Sequence, residues 1–204
     1  MRSAVRAIAL ILAVLLLAGC STTRIGSAWS EPGRPAKPYR DLLVFGVASK
    51  DKVRRAFEDS FVAELKGRGV RARAGSALLP AGAQGDANAL KRAVRAAGAD
   101  GVLVTHMVGE TARTVVVPPR TYTDPSFYGR LSPYYARVFE TVTAPGYYAR
   151  YPVLQLESNL YDVRRESLVW SGRSETMDPG SENTTIAEVI AAMIAALSEA
   201  GYLP

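Results

Sequence analysis

The chain holds one histidine and one cysteine, so the side chains best suited to metal or nucleophilic chemistry are few. His106 has no second histidine or free cysteine with which to share a metal ion, and structural zinc sites draw on several such ligands. A Ser-His-Asp hydrolase would carry a G-x-S-x-G turn, and that pattern does not occur. Neither a phosphate-binding P-loop nor a G-x-G-x-x-G run occurs. The sequence therefore predicts no enzyme, no metal ion and no dissociable cofactor.

Carboxylates are the remaining candidates for acid–base chemistry, because two of them could be paired in space. The candidates are Asp51, Glu58, Asp59, Glu110, Glu157 and Asp162. Glu58 and Asp59 are adjacent in a predicted helix, so their side chains diverge by about 100°. We therefore assign both to the solvated face of that helix, and a hydrolase survives only if other acids converge in a cleft.

Cys20 stands just after a 12-residue apolar run, Ala7–Ala18, which two arginines precede. The run has the length of a secretory signal core and falls short of the roughly 20 residues that a spanning helix needs. The segment Leu17–Cys20 (Leu-Ala-Gly-Cys) resembles the lipobox of bacterial lipoproteins at all four positions. The resemblance implies cleavage between Gly19 and Cys20, a diacylglycerol on the Cys20 thiol and an acyl chain on the new amino terminus.

Lipid of this kind fixes the expected location of the protein. Two or more acyl chains anchor a chain stably, at about 0.8 kcal/mol per buried methylene, so the folded domain need not bind the membrane itself. Ser21, rather than aspartate, follows the cysteine; by resemblance to enterobacterial sorting this implies the outer membrane, with the domain in the periplasm. The signal holds two of the 25 basic residues and none of the 19 acidic ones, so the mature charge is about +4. Export argues against nucleic acid and leaves lipid A, peptidoglycan or envelope proteins as partners.

The sequence divides into a signal peptide (1–19), a lipidated flexible tether (20–38) and a single α/β domain (39–204) with a Tyr/Pro-rich insertion at about 118–151. Ser21–Pro38 is rich in Ser, Thr, Gly and Pro and lacks apolar periodicity. Its 18 residues would reach roughly 23 Å from the membrane as a random coil.

The first half of the domain predicts a β-α-β-α-β order, typical of an α/β fold. Buried strands are expected at Leu42–Val47 and Gly101–Thr105, with His106 just past the second, held by a local hydrogen bond. Val70–Ala74 predicts an edge strand whose arginines face water. The first helix, capped by Ser49 or Asp51, buries Val53, Phe57, Phe61 and Leu65 and exposes Arg54, Arg55, Glu58, Asp59 and Lys66. The second begins at Asp86, buries Leu90, Ala93, Val94 and Ala97 and ends at Gly98.

The second half predicts a hairpin and a closing helix. Val153–Tyr161 and Ser167–Arg173 flank the turn Arg164–Glu166, and Thr111–Val117 can extend or pair the preceding strand. Thr184–Ala200 predicts a helix capped by Asn183, and its apolar stripe comprises Ile186, Val189, Ile190, Met193, Ile194 and Leu197. Four basic residues are expected to interact favourably with the carboxyl end of the first helix and to protect the edge strand from further pairing. The alternative is that they bind lipid phosphates. This basic set comprises Lys66, Arg68, Arg71 and Arg73.

Residues 122–151 hold 9 of the 17 aromatic side chains of the chain. A connection of this length without evident secondary structure is usually functional or disordered, and tyrosine suits partner proteins and sugar rings. Three interpretations of this segment are open: it binds a partner, it packs over the sheet, or it is disordered. The candidate partner-binding residues are Tyr122, Phe127, Tyr128, Tyr134, Tyr135, Tyr147 and Tyr148.

Several short motifs lie in the folded region: Arg55–Asp59, Gly98–Val104, Leu160–Asp162 and Leu168–Ser171. With these motifs the chain resembles a loose group of small, mostly uncharacterised bacterial lipoproteins. It is also similar to the anticodon-binding-like α/β fold of the TolB amino-terminal domain and of the curli-secretion lipoprotein. The resemblance implies a two- or three-layer sandwich and supplies no catalytic residues.

Three functions remain open. The leading hypothesis is a non-enzymatic, membrane-anchored lipoprotein that binds an envelope protein or a glycan in assembly or transport. The second is a subunit of an oligomeric secretion pore, as the curli resemblance implies. A pore needs membrane strands of about 9–11 alternating residues, which neither Thr111–Val117 nor 122–151 provides. The third is a periplasmic hydrolase.

Overall fold

The structure is a computed structural model that describes residues 22–33, 37–79, 82–117, 135 and 147–204. The strands are β1 (Thr23–Ser30), β2 (Asp41–Val47), β3 (Arg71–Ala74), β4 (Gly101–Val117), β5 (Tyr147–Asp162) and β6 (Ser167–Met177). The helices are α1 (Asp51–Gly67), α2 (Ala87–Ala97) and α3 (Glu182–Glu199), and a 3-10 turn spans Gly75–Ala77.

The strands form one mixed sheet in the order β1-β6-β5-β4-β2-β3. β2 is parallel to β3 and β4, whereas β5 is antiparallel to both β4 and β6, and β1 is antiparallel to β6. Strands β2, β4 and β6 therefore run in one direction, and their carboxyl ends lie at the same end of the sheet. The predicted β-α-β-α-β core, hairpin and carboxyl-terminal helix are confirmed.

Helices cover both faces of the sheet, so the fold is an α/β sandwich. The larger core joins α1 and α3 to one face, and Phe61, Leu103, Trp170 and Ile190 are fully or almost fully buried there. A smaller core on the other face packs α2 against Leu43, Phe45 and Val102. All six residues of the predicted apolar stripe of α3 are buried. Among the described residues, no helix combines the length and the apolar character that crossing a bilayer requires.

The predicted flexible tether is wrong over Thr23–Ser30, which forms the edge strand β1. Thr23 faces the larger core, and its Oγ1 lies 2.7 Å from Oγ1 of Thr176 on β6. Ile25 packs against the same core, and a bulge follows between Ile25 and Ser27. The strand was missed because an edge strand needs few apolar residues: only these alternate positions face the core, while the rest meet water.

The helix ends agree with the sequence for α2 and differ for the other two helices. Asp86 caps α2 by accepting hydrogen bonds from two backbone N–H groups, and Gly98 ends it in the left-handed conformation, as predicted. No side chain caps α1, whose first residue is Asp51; its carboxylate binds arginines one turn along. The hydrogen bond from Arg55 is the largest cause that lowers the Asp51 pKa to about 2.

The cap of α3 is Ser181, not Asn183. The Ser181 hydroxyl accepts the Thr184 N–H at 3.2 Å, and the helix begins at Glu182. We expect Ser181→Ala to lower the free energy of unfolding by about 1 kcal/mol, because one N–H of the first turn loses its acceptor. Asn183→Ala, two residues further along in the first turn, should change it by less than about 0.5 kcal/mol. Urea titrations of both variants test the assignment, and equal losses would refute it.

Candidate functional site

An open groove lies at the end of the sheet where β2 and β6 finish and β4 runs on past them. The helices α1 and α3 begin at this same end, since each follows a strand that runs toward it. In open α/β sheets, ligands bind in crevices outside the carboxyl ends of the strands. Here the crevice is the space between the first turns of the two helices, and it has a volume of about 650 Å³.

The lining of this groove is mainly apolar. The floor includes Met107 on β4 with Leu154 and Leu156 on β5, and the walls include Val53 and Phe57 on α1 with Ile186 and Val189 on α3. Lys50 and Glu182 mark the two helix starts, and Glu182 is the one acid among the described lining residues. Such a surface suits an apolar segment rather than a polar substrate.

A buried ion pair supports one wall of the groove. The Glu58 side chain is fully buried, and its Oε1 accepts the Gly46 N–H at 3.0 Å and lies 3.4 Å from Arg54 Nη1. Its Oε2 accepts the Ser76 N–H at 2.7 Å. The carboxylate thereby joins α1 to the end of β2 and to the 3-10 turn after β3. Arg54 and Glu58 were predicted to face solvent, and this prediction is wrong.

A two-stranded ribbon extends beyond the groove. β5 pairs with β6 only as far as Val153–Met177, but β4 and β5 continue to pair until Val117–Tyr147. We call this extension, Ala112–Val117 with Tyr147–Pro152, the ribbon. Thr111–Val117 thus extends the earlier strand, as predicted, while 147–151 belongs to β5 and not to an irregular insertion.

The exposed large apolar side chains cluster at this end of the molecule. Val47, Met107, Val108 and Met177 surround the groove end of the sheet, and Val115, Val116, Tyr147 and Tyr148 lie on the ribbon. Tyr148 is 77% exposed, Tyr147 62% and Val116 61%. Of the remaining exposed large apolar residues in the described chain, Trp29 lies on β1 and Tyr135 stands apart in sequence. We call the four side chains at the groove end and the four on the ribbon together the apolar end; Trp29 and Tyr135 are not part of it.

The structure places two of the seven predicted partner-binding aromatics on one element, since Tyr147 and Tyr148 begin β5. Tyr135 is 68% exposed. Tyr122, Phe127, Tyr128 and Tyr134 lie outside the described residues, as do Gly19 and Cys20. The groove itself was missed, because its lining comes from segments far apart in sequence and only the fold brings them together.

His106 lies inside β4, not past its end, and pairs in register with Val47 and Glu157. The Glu157 pKa is lowered chiefly by hydrogen bonds from Asn159 and Arg173, with a smaller electrostatic contribution from His106. The described residues contain no group of three or more His, Cys, Asp or Glu side chains placed to bind a metal ion.

Three of the predicted carboxylate candidates, Glu58, Glu157 and Asp162, have hydrogen-bond partners in different parts of the domain. Asp162 is buried near the far end of β5, where it accepts hydrogen bonds from the Tyr39 hydroxyl and the Arg165 N–H, both at 2.9 Å. Burial raises the Asp162 pKa, but these two hydrogen bonds and the charges of Arg165 and Arg164 together leave the pKa lowered. Burial and the same carboxylate raise the Tyr39 pKa. Each of these three carboxylates thus accepts hydrogen bonds from N–H or O–H groups of the same domain.

Two members of the basic set, Arg71 and Arg73 on β3, have structural partners. Arg73 Nη2 contacts Asp41 at 2.8 Å and its Nη1 donates to the Ala97 carbonyl at 2.9 Å, while Arg71 Nε contacts Asp41 at 3.2 Å. These contacts tie the edge strand β3 to β2 and to the end of α2. The structural interpretation of Arg71 and Arg73 is confirmed.

Fold and site together define an α/β sandwich with an open apolar groove at one end of its sheet. No protein-family model and no curated protein matches the chain. Among solved structures, it is similar to the PelC dodecamer of Paraburkholderia phytofirmans, with 16% identity and a TM-score of 0.47 over 89% of this chain and 99% of that one. Lipoprotein GNA1162 of Neisseria meningitidis gives 13% identity and a TM-score of 0.41 over 78% and 98% of the two chains. Likeness at this level assigns neither family nor function.

Proposed function

We propose that the chain is a lipid-anchored, non-enzymatic protein of the bacterial outer membrane that binds a partner in envelope assembly or transport. The partner site is the groove, and its occupant is an apolar segment of an envelope protein. The observation that carries the proposal is the position of the groove: it opens at the end of the domain from which the chain leads to Cys20.

That position follows from the pairing of β1. The Thr22 carbonyl accepts the Met177 N–H at 3.1 Å, and the Thr22 hydroxyl donates to Glu188 on α3 at 3.0 Å. Thr22 therefore lies beside the carboxyl end of β6, at the groove end of the sheet. A lipid on Cys20, two residues earlier, holds the groove close to the membrane surface, where envelope proteins present apolar segments.

The groove favours a protein segment over a glycan. Its walls and floor are mostly aliphatic, and apolar grooves bind amphipathic segments by burying the apolar face of the segment. A sugar would need several polar groups converging on it. The hydrolase alternative has no supporting observation in the described groove, where Glu182 is the one acid. The pore alternative stays a hypothesis, because the strands of the ribbon lead into residues outside the described ones.

Photocrosslinking in intact cells tests the proposal. A benzoylphenylalanine at Met107, which is 60% exposed at the groove, should capture a discrete envelope protein. The same probe at Arg68, which follows α1 at its other end, should not capture it.

Matched charge variants sharpen this test. Val53→Glu places a charge in the groove wall and should abolish capture from Met107, because burying an unpaired carboxylate opposes binding. Ala63→Glu places the same charge on the exposed side of the same helix and should leave capture intact. Capture that survives Val53→Glu, or equal capture from Arg68, would refute the groove as the partner site.

A further inference from the structure

The distance between the lipid anchor and the domain is short. Cys20 precedes Thr22 by two residues, and two residues span at most about 7 Å. Thr22 is fixed to the fold by the contacts with Met177 and Glu188. A lipid on Cys20 would therefore hold Thr22, at the groove end of the sheet, within about 7 Å of the lipid attachment, much closer than an 18-residue tether would.

The ribbon projects farther in this direction than the anchor does. Thr22 lies level with Met177, whose partner on β5 is Val153. From Val153 to Tyr147 the ribbon continues for six residues, or about 20 Å at roughly 3.3 Å per residue. This length exceeds the largest separation between Thr22 and Cys20, so the end of the ribbon reaches the plane of the lipid attachment.

The ribbon is apolar on both faces near its end. Val116 pairs with Tyr148 on one face, while Val117 pairs with Tyr147 on the other. A ribbon that packed on its own domain would show apolar side chains on one face only. Tyrosine combines an apolar ring with a polar hydroxyl and is enriched where membrane proteins meet the lipid–water interface.

We infer that the ribbon is a membrane-contact surface, inserted at the lipid–water interface of the bilayer that holds Cys20. The inference rests on the lipidation in the proposed function, but not on the groove partner. It assigns Val116, Tyr147 and Tyr148 to lipid contact. The groove then opens at the bilayer surface, beside the ribbon.

Fluorescence in vesicles tests this inference. The lipidated mature chain is reconstituted into vesicles of phosphatidylethanolamine and phosphatidylglycerol. Val116→Cys and Tyr148→Cys each carry an environment-sensitive dye, and Arg68→Cys is the control. Cys20 is the one native cysteine, so once it is lipidated the dye reacts only at the introduced thiol.

The expected result is a blue-shifted emission at 116 and 148 that nitroxide-labelled phospholipids quench, with neither effect at 68. Emission typical of water at all three positions would overturn the inference. A blue shift at 116 and 148 that grows with protein concentration in detergent would show that a second copy covers the ribbon, and would overturn the inference. A blue shift that appears only in native membranes would show that a protein partner covers it, and would overturn the inference as well. Mass spectrometry of the Cys20 peptide checks the lipid separately, and an unlipidated Cys20 would overturn both proposals.

Discussion

Replacing Glu58 with alanine should lower the free energy of unfolding by about 2–4 kcal/mol, because it removes a fully buried carboxylate and leaves Arg54 with Asp51 as its acidic partner. Arg54 is 7% exposed and Glu58 is fully buried. The substitution also removes the acceptor of two backbone N–H groups, those of Gly46 and Ser76. Each buried donor left without a partner adds its own desolvation penalty.

Asp59→Ala is the matched control, since the neighbouring carboxylate is exposed on the same helix. It should change the free energy of unfolding by less than about 0.5 kcal/mol. Glu58→Gln keeps an amide oxygen that can still accept one N–H, so its loss should fall between those of the two alanine variants. Chemical denaturation followed by fluorescence measures all three. A Glu58→Ala variant as stable as Asp59→Ala would show that the ion pair contributes nothing to the fold.

Substitution of Glu58 should also affect partner binding in the groove. Gly46 and Arg54 both line the groove, and Glu58 holds them together across the space between β2 and α1. Loss of the carboxylate should therefore loosen this wall even in molecules that stay folded. Crosslinking from Met107 should fall in Glu58→Gln and persist in Asp59→Ala.

The helices were the part of the fold that the sequence predicted best. Their apolar residues recur at helical spacing, and Asp86 and Gly98 are strong end signals. The same reasoning failed at Arg54 and Glu58. Charged residues four apart usually form a solvated pair, and only the packing of β2 and the 3-10 turn over the helix makes this pair a buried one.

Strand β1 and the groove could not be predicted for a different reason: both depend on contacts between distant segments. β1 owes its place to β6, about 150 residues later, and carries only Thr23 and Ile25 toward the larger core. The groove joins residues of α1, β5 and α3. Local pattern identifies elements, but it does not show which elements meet at one end of a sheet.

Trp170→Ala should lower the free energy of unfolding by about 3–5 kcal/mol, because the indole fills the larger core and its removal leaves a cavity. Trp170 is 1% exposed, whereas Trp29, the other tryptophan, is 48% exposed. Trp29→Ala is therefore the control and should change the stability by less than about 0.5 kcal/mol. Circular dichroism during thermal and urea unfolding follows both variants without relying on the tryptophan that each one loses.

The close packing of Trp170 on Gly172 gives this prediction a second, independent check. A Cβ at residue 172 would lie 2.2 Å from Cη2 of the indole, so Gly172→Ala alone should destabilise the domain by about 1–3 kcal/mol through overpacking. Once Trp170 is alanine, that clash is gone, and the added methyl group fills part of the cavity. The double variant should therefore be more stable than the sum of the two single losses predicts, with a coupling of about 1–3 kcal/mol. Additive losses would mean that the indole does not lie over Gly172 and that the packing of β6 against α3 differs from the one described.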